Sequence, residues 1–183
     1  MLFKSLKIED TARIAESLAK VLEANTILAL DGELGAGKTI FTKFIAKALG
    51  FDETKVNSPT FTIMQIYSQD AEDELDICHF DVYRLNSAKE FIEEGFREYF
   101  DAGYLVIIEW ANIIKAALPA DRININISTE SAKEIDLDAE NIVLSADDRH
   151  RYIDIQALGS KSQAILEKFK DSKDFPKDLL VEE

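Results

Sequence analysis

Sulfur and imidazole are nearly missing from this chain. Cys78 is the single cysteine in 183 residues, and His79 and His150 are the only histidines. That excludes an intramolecular disulfide and a cysteine–histidine zinc cluster. No apolar run approaches the length of a membrane-spanning helix. The opening residues, MLFKSLKIED, lack the long apolar stretch of a secretory signal, so a cytoplasmic location without membrane partners is the expectation. Internal repeats are absent as well. Basic residues are outnumbered by acidic ones, 21 to 35, so there is no basic excess by which a protein grips nucleic acid unaided.

The net charge of −14 is concentrated in three places. Residues 68–76 hold five acids and no base, residues 129–148 seven acids and one base, and residues 171–183 five acids and two bases. Together they carry the whole net charge. Such runs read as solvated loops and a frayed end, or as surfaces that meet basic partners.

What remains is 46% hydrophobic, enough for a real core. One domain over residues 1–170 is expected, with an acidic insertion at about 129–148. Residues 171–183 form a flexible acidic tail in which Phe175, Leu179, Leu180 and Val181 offer docking points. Hydrophobic periodicity alternates between helix and strand. Asp10 or Thr11 caps a helix running to about residue 23, with Ile14, Leu18, Val21 and Leu22 on its apolar face. TILALD (26–31) reads as a buried strand. A glycine loop leads into a helix over about 38–49 that ends at Gly50. SPTFTIMQIY (58–67) is a turn continuing as a strand, and ELDICHFDVYRL (74–85) is another strand. Ser87 and Glu90 form a capping box for a helix that Gly95 breaks. YLVIIEW (104–110) suits the centre of a covered sheet. RININIS (122–128), residues 134–146 and RYIDIQAL (151–158) alternate apolar and polar, as antiparallel strands with one wet face do. Ser160 and Gln163 form a second capping box for a last helix. The expected fold is α/β: a mostly parallel sheet flanked by helices, with antiparallel strands in the C-terminal part.

GELGAGKT, from Gly32 to Thr39, fits G-x-x-x-x-G-K-[ST], the phosphate-binding P-loop. Glycines let consecutive backbone N–H groups turn inward as an anion nest. The following helix adds its positive dipole end. The Lys38 ammonium reaches the β- and γ-phosphates, and the Thr39 hydroxyl suits Mg²⁺. A P-loop also needs an acid for the metal or the attacking water. Asp81 and Glu109 each close an apolar run, so both project from the carboxyl edge of a parallel sheet. The hydroxyls of Ser58-Pro59-Thr60 suit a switch-like turn. D-x-x-G and N-K-x-D do not occur, which argues against a GTPase and makes ATP the expected nucleotide. A small-molecule kinase would cluster lid arginines, yet only Arg84 and Arg97 follow Asp81 in that region; this reading is weakened but stands. Cys78 and His79 point to opposite faces of a strand, so they are no nucleophile pair, and Cys78 reads as core.

GELGAGKT, NSPTFTIMQIY, HFDVYRL and IIEW occur in this order over nearly the whole chain, from about residue 7 to 169. In combination they resemble the TsaE (YjeE) family, small bacterial P-loop ATPases of tRNA threonylcarbamoylation. The resemblance implies an ATP-binding and ATP-hydrolysing subunit that works with TsaB and TsaD, reaches tRNA indirectly, and supports turnover without performing the transfer. It implies that Glu33, Leu34, Gly35, Ala36, Gly37, Lys38 and Thr39 wrap the phosphates. Thr39 and Glu109 would hold Mg²⁺, with Asp81 as the other functional acid; which acid orients water stays open. Ser58 and Thr60 match the switch-like turn, Trp110 the tryptophan beside the site, and Thr11 an N-terminal threonine near the nucleotide. Arg151 is the best match for a late basic contact, with Arg149 and Lys133 as rivals. The chain departs from the family pattern at Ile40, in the length of the stretch 129–148, and in its tail.

Overall fold

The computed structural model describes residues 1–69, 74–129 and 150–181. The elements are β1 (Leu2–Ser5), α1 (Ile8–Ala19), β2 (Thr26–Asp31), α2 (Lys38–Ala48), β3 (Met64–Tyr67), β4 (Ile77–Asp81), α3 (Ala88–Glu93), β5 (Leu105–Glu109), β6 (Arg122–Thr129), β7 (Arg151–Leu158) and α4 (Ser160–Asp171). Short 3₁₀ turns cover Phe96–Asp101, Ala111–Ile114 and Lys177–Leu179. No helix among the described residues is long and apolar enough to cross a membrane.

Among the described residues, seven strands form one sheet in the order β1-β7-β6-β2-β5-β4-β3. The central four, β6, β2, β5 and β4, run parallel. The outer three are antiparallel to their neighbours. β2 and β5 are buried along almost their full length because both faces are covered, which is why their sequences read as continuous apolar runs. Leu28 and Leu30 face a core shared with Ile14, Leu18, Phe41 and Ile45 from α1 and α2. Ile27 and Ala29 face a second core with Phe80, Phe91 and Ile114.

Several local expectations shift. The alternating stretch at 122–128 is not purely antiparallel: β6 joins β2 in parallel and β7 antiparallel. Its Ile123, Ile125 and Ile127 are buried on one face, which produces the alternation. The strand expected in 134–146 lies outside the described residues. α1 begins before Asp10, whose carboxylate instead accepts N–H bonds from Leu6 and Lys7. Gly95, at φ 77°, ends α3 as expected, but only half of its capping box forms. Ser87 Oγ accepts from Glu90 N–H, while the Glu90 carboxylate takes Asn86 N–H. The Ser160–Gln163 box does not form. Asp121 caps α4 from the start of β6, accepting from the N–H groups of Lys161 and Ser162 at 2.9 Å each and from Ser162 Oγ at 2.6 Å. These bonds, the Ser162 hydroxyl foremost, hold the Asp121 carboxyl below its ordinary value.

Of the two expectations for the tail, docking is what residues 172–181 show. Phe175 packs edge-on against Phe3 and Phe169, Val181 N–H donates to Leu2 O, and Arg13 pairs with Asp178.

Candidate functional site

The parallel strands end together, and the loop after β2 lies over that edge. Gly32 opens it at φ 146°, where an added Cβ would stand 2.1 Å from the Ile127 carbonyl oxygen. Only glycine lets the loop pass that close to β6. Gly37, at φ 112°, immediately precedes α2. The following residue, Lys38, is 5% exposed. Its Nζ donates to the carbonyls of Gly32 (2.8 Å) and Glu33 (2.9 Å) and lies 3.6 Å from the centre of the Trp110 ring, a cation–π contact. Burial lowers the Lys38 pKa; Glu109, Asp81, Asp31 and Glu33 partly offset that effect. Both strand-end acids therefore belong to the electrostatic surroundings of this ammonium.

Asp81 and Glu109 pair in register across β4 and β5, and each is almost fully buried. Their partners differ. Glu109 Oε2 accepts from Thr39 Oγ1 at 2.8 Å, and Oε1 lies 2.9 Å from His79 Nε2. Asp81 Oδ2 accepts from the hydroxyls of Ser58 and Thr60, the latter at 2.6 Å, and Oδ1 accepts from Tyr83 N–H. Asp81 thus ties the turn at 58–60 to the sheet. That turn delays β3: Ile63 N–H bonds Pro59 O, Asp81 N–H bonds Ile63 O, and Ile63 sits at φ 66°, a strained setting for a β-branched residue. The strand therefore starts only at Met64.

Arg151 begins β7 opposite Thr129, the last residue of β6. The antiparallel return brings it under the loop, where Nε donates to Ala36 O at 3.0 Å. A Cβ on Gly37 would lie 3.4 Å from the same nitrogen. Its rivals Arg149 and Lys133 lie outside the described residues. Glu33 accepts from the N–H and hydroxyl of Thr129, which fixes the loop's outer arm to β6. Leu34 is 79% exposed at the loop tip. Thr11 is buried and stands one step further back: its hydroxyl bonds Ser5 Oγ, and Ser5 pairs with Arg151 across β1 and β7. Trp110, at φ 62°, packs against Tyr83.

Three contributors were not singled out from sequence. His79 had no assigned role, although the two-residue alternation that turns it away from Cys78 puts it on the face of Asp81. Thr129 anchors Glu33 through a contact across almost a hundred positions. Asp31 accepts Asn112 N–H, holding the turn after Trp110. Arg84 and Arg97, the two arginines that follow Asp81, do not cluster with one another. Arg84 stacks on Phe61, and Arg97 lines a cavity with Asn25 and Thr26, at the sheet edge opposite the loop.

The donor set suits a hard cation. A hydroxyl and a carboxylate meet at one point beside the N-terminus of α2, the arrangement that supplies Mg²⁺ with one or two protein oxygens and leaves its other positions to phosphate and water.

Residues 5–136 match the family model described as "Threonylcarbamoyl adenosine biosynthesis protein TsaE". A Rickettsia felis protein named "tRNA threonylcarbamoyladenosine biosynthesis protein TsaE" is 41% identical over 119 residues, covering 65% of this chain and 67% of its own. A Bacillus subtilis protein of the same name is 33% identical over 165 residues, 90% of each chain. The crystal structure of B. subtilis YdiB superposes with a TM-score of 0.68 at 30% identity, over 93% of both chains. The loop, the two strand-end acids and the sheet that aligns them thus come with matches over most of the chain: the protein belongs to the TsaE family of tRNA threonylcarbamoyladenosine biosynthesis proteins.

Proposed function

We propose that this chain binds ATP with Mg²⁺ at the loop of residues 32–39 and hydrolyses it, as a subunit that acts with TsaB and TsaD proteins in tRNA threonylcarbamoylation. The observation that carries the reading is the convergence of the loop, the Lys38 ammonium and the Thr39–Glu109 pair at one strand-end edge. Loop amides and the α2 N-terminus bind phosphate oxygens, and Lys38 stabilises the charge that grows on the leaving ADP and the transferred phosphoryl group. Thr39 and Glu109 would hold Mg²⁺, which neutralises phosphate charge when bound. Water attacks the γ-phosphorus, the bond to the β-phosphate oxygen breaks, and ADP and phosphate leave. Asp81 or Glu109, side by side across β4 and β5, would orient the attacking water. Asp81 also holds the turn at 58–60, so a change at the γ-phosphate reaches a surface that partners can read. Binding without meaningful turnover in isolation is compatible with this reading when partners complete the site.

The test is ATP hydrolysis by the chain alone, with TsaB and TsaD, and with tRNA added. Lys38→Ala and Glu109→Ala abolish turnover in every arm. Wild-type turnover by either folded variant refutes the proposal, and phosphate transfer to an acceptor other than water would favour a kinase.

A further inference from the structure

His79 lies in the middle of β4 with no exposed surface. A histidine kept for volume alone would leave both ring nitrogens wanting partners, at a cost that leucine avoids. Here one nitrogen is spent on a particular atom: Nε2 is 2.9 Å from Glu109 Oε1. The other, Nδ1, is buried without a hydrogen-bond partner. An ionised carboxylate can only accept, so a proton belongs on Nε2 in this contact. The ring lies beside Tyr67 of the edge strand, and Tyr67 is itself tethered to the backbone of Asn57. Its partner Glu109 is 2% exposed. A carboxylate this buried, held by one hydroxyl alone, could rotate about its last bond; held at both oxygens it cannot. Oε2 then stays on Thr39 Oγ1 at 2.8 Å.

We infer that His79 is a positioning residue: its Nε2–H fixes Glu109 Oε1 so that Oε2 and the Thr39 hydroxyl form a preset pair of oxygen donors. The inference rests on the proposed ATPase reading, because it assigns that pair a Mg²⁺–nucleotide to receive. Outer partners of metal-binding side chains typically change metal affinity about 10- to 100-fold when removed. The effect falls on the metal-dependent part of binding. The amide nest and Lys38, which hold phosphate without metal, are untouched by His79.

Two variants and one measurement on the unaltered protein test this. His79→Leu keeps apolar volume and removes the donor. His79→Gln places an amide N–H near the Nε2 position. Calorimetric titration of ATP is run with Mg²⁺ and with a chelator, on variants whose thermal melts show a folded state. His79→Leu reduces the Mg²⁺-induced gain in affinity about 10- to 100-fold and leaves affinity in chelator within about twofold of wild type. His79→Gln restores most of the gain. A folded His79→Leu with the wild-type gain overturns the inference, as does a His79→Gln that falls as far as leucine. Should neither variant fold, the tautomer decides. The chain has only two histidines, so long-range ¹H–¹⁵N spectra of the wild type resolve both rings. A proton on Nε2 of His79 supports the inference, and a ring with no proton on Nε2 overturns it. Wild-type protein that binds no ATP in either condition overturns the ATPase reading and this inference with it. Wild-type protein whose binding gains from Mg²⁺ while the leucine variant gains equally overturns the inference alone.

Discussion

Replacing Asp81 with alanine should release the turn at 58–63 while leaving the sheet intact. The carboxylate accepts from Ser58 Oγ, Thr60 Oγ1 and Tyr83 N–H. Hydrogen bonds to an ionised group contribute about 1.5–3 kcal/mol each when desolvated. The turn is half-exposed, so water replaces part of that, and the hydroxyls of Ser58 and Thr60 still bond each other. A net loss of about 2–3 kcal/mol in the free energy of local opening is expected. Ile63, at φ 66°, stores about 1–2 kcal/mol of backbone strain that favours release. Two amides report the event, because Thr62 and Ile63 both donate to Pro59 O. Hydrogen exchange at these positions should quicken roughly 30- to 150-fold in Asp81→Ala, from tenfold per 1.4 kcal/mol. Amides of Leu28 and Ile107 in the central strands should keep their protection. Glu109→Ala is the control: Glu109 contacts Thr39 and His79, so it should abolish turnover without changing exchange at Thr62 and Ile63. If Asp81→Ala leaves those two amides within twofold of wild type, the latch does not exist and the separate roles of the two acids fall with it.

Three other outcomes are expected. Gly32→Ala would place a methyl 2.1 Å from the Ile127 carbonyl; the loop must shift, lowering stability by at least about 2 kcal/mol, or roughly 4–8 °C in Tm, and phosphate binding measured by calorimetry should be lost. Asp121→Ala removes the α4 cap and should lower Tm by roughly 2–4 °C, about 1 kcal/mol. Because the Asp121 carboxyl is depressed in the folded state, its stabilisation is present above the ordinary value of 3.8 and is lost as pH falls through the lower folded value, so the wild-type and variant melts should converge in acid. Burial pushes the Cys78 thiol from 9.0 up to about 12, so a thiol reagent at pH 8 should leave the folded protein unmodified and label it fully in denaturant; the thiol's contribution to stability should fade as pH rises from about 9 to about 12.

The parts of the site legible in the sequence are those set by one strand–loop–helix unit and by strand ends. Glycine spacing revealed the loop, and the apolar runs before Asp81 and Glu109 revealed where those carboxylates emerge. The parts that stayed hidden depend on pairings between distant segments. Arg151 reaches Ala36 because β7 returns antiparallel to β6 and starts opposite Thr129; no local pattern encodes that register. Ser160 and Gln163 have the right spacing for a cap, yet Asp121 arrives from about forty residues earlier and caps the helix with a full charge, through the N–H groups of Lys161 and Ser162. Ile63 gives no hint of positive φ, since its side chain disfavours that conformation; a turn bond to Pro59 and a tertiary bond from Asp81 N–H impose it. His79 carried no role in the sequence beyond facing away from Cys78, and only the β4–β5 pairing reveals that its ring reaches Glu109.

That pairing also explains how two like charges serve one site. Asp81 and Glu109 stand opposite each other on adjacent strands, buried and mutually repulsive, so each needs donors of its own. The donors come from different places: Asp81 draws on the turn before β3 and on Tyr83, Glu109 on the start of α2 and on β4. Lys38 is the cation common to both, and it sits on the loop itself. On the proposed function, the negative charge of a nucleotide would draw on Lys38 and take part of that counter-charge from Asp81, while Glu109 would be compensated by Mg²⁺. Asp81 then depends more heavily on Ser58 and Thr60, which tightens the turn. The coupling runs through one ammonium and one strand register. It therefore predicts a reciprocal effect: nucleotide should protect Thr62 and Ile63 from exchange in the wild type, and should fail to do so in a folded Lys38→Ala protein even at concentrations that fill the site.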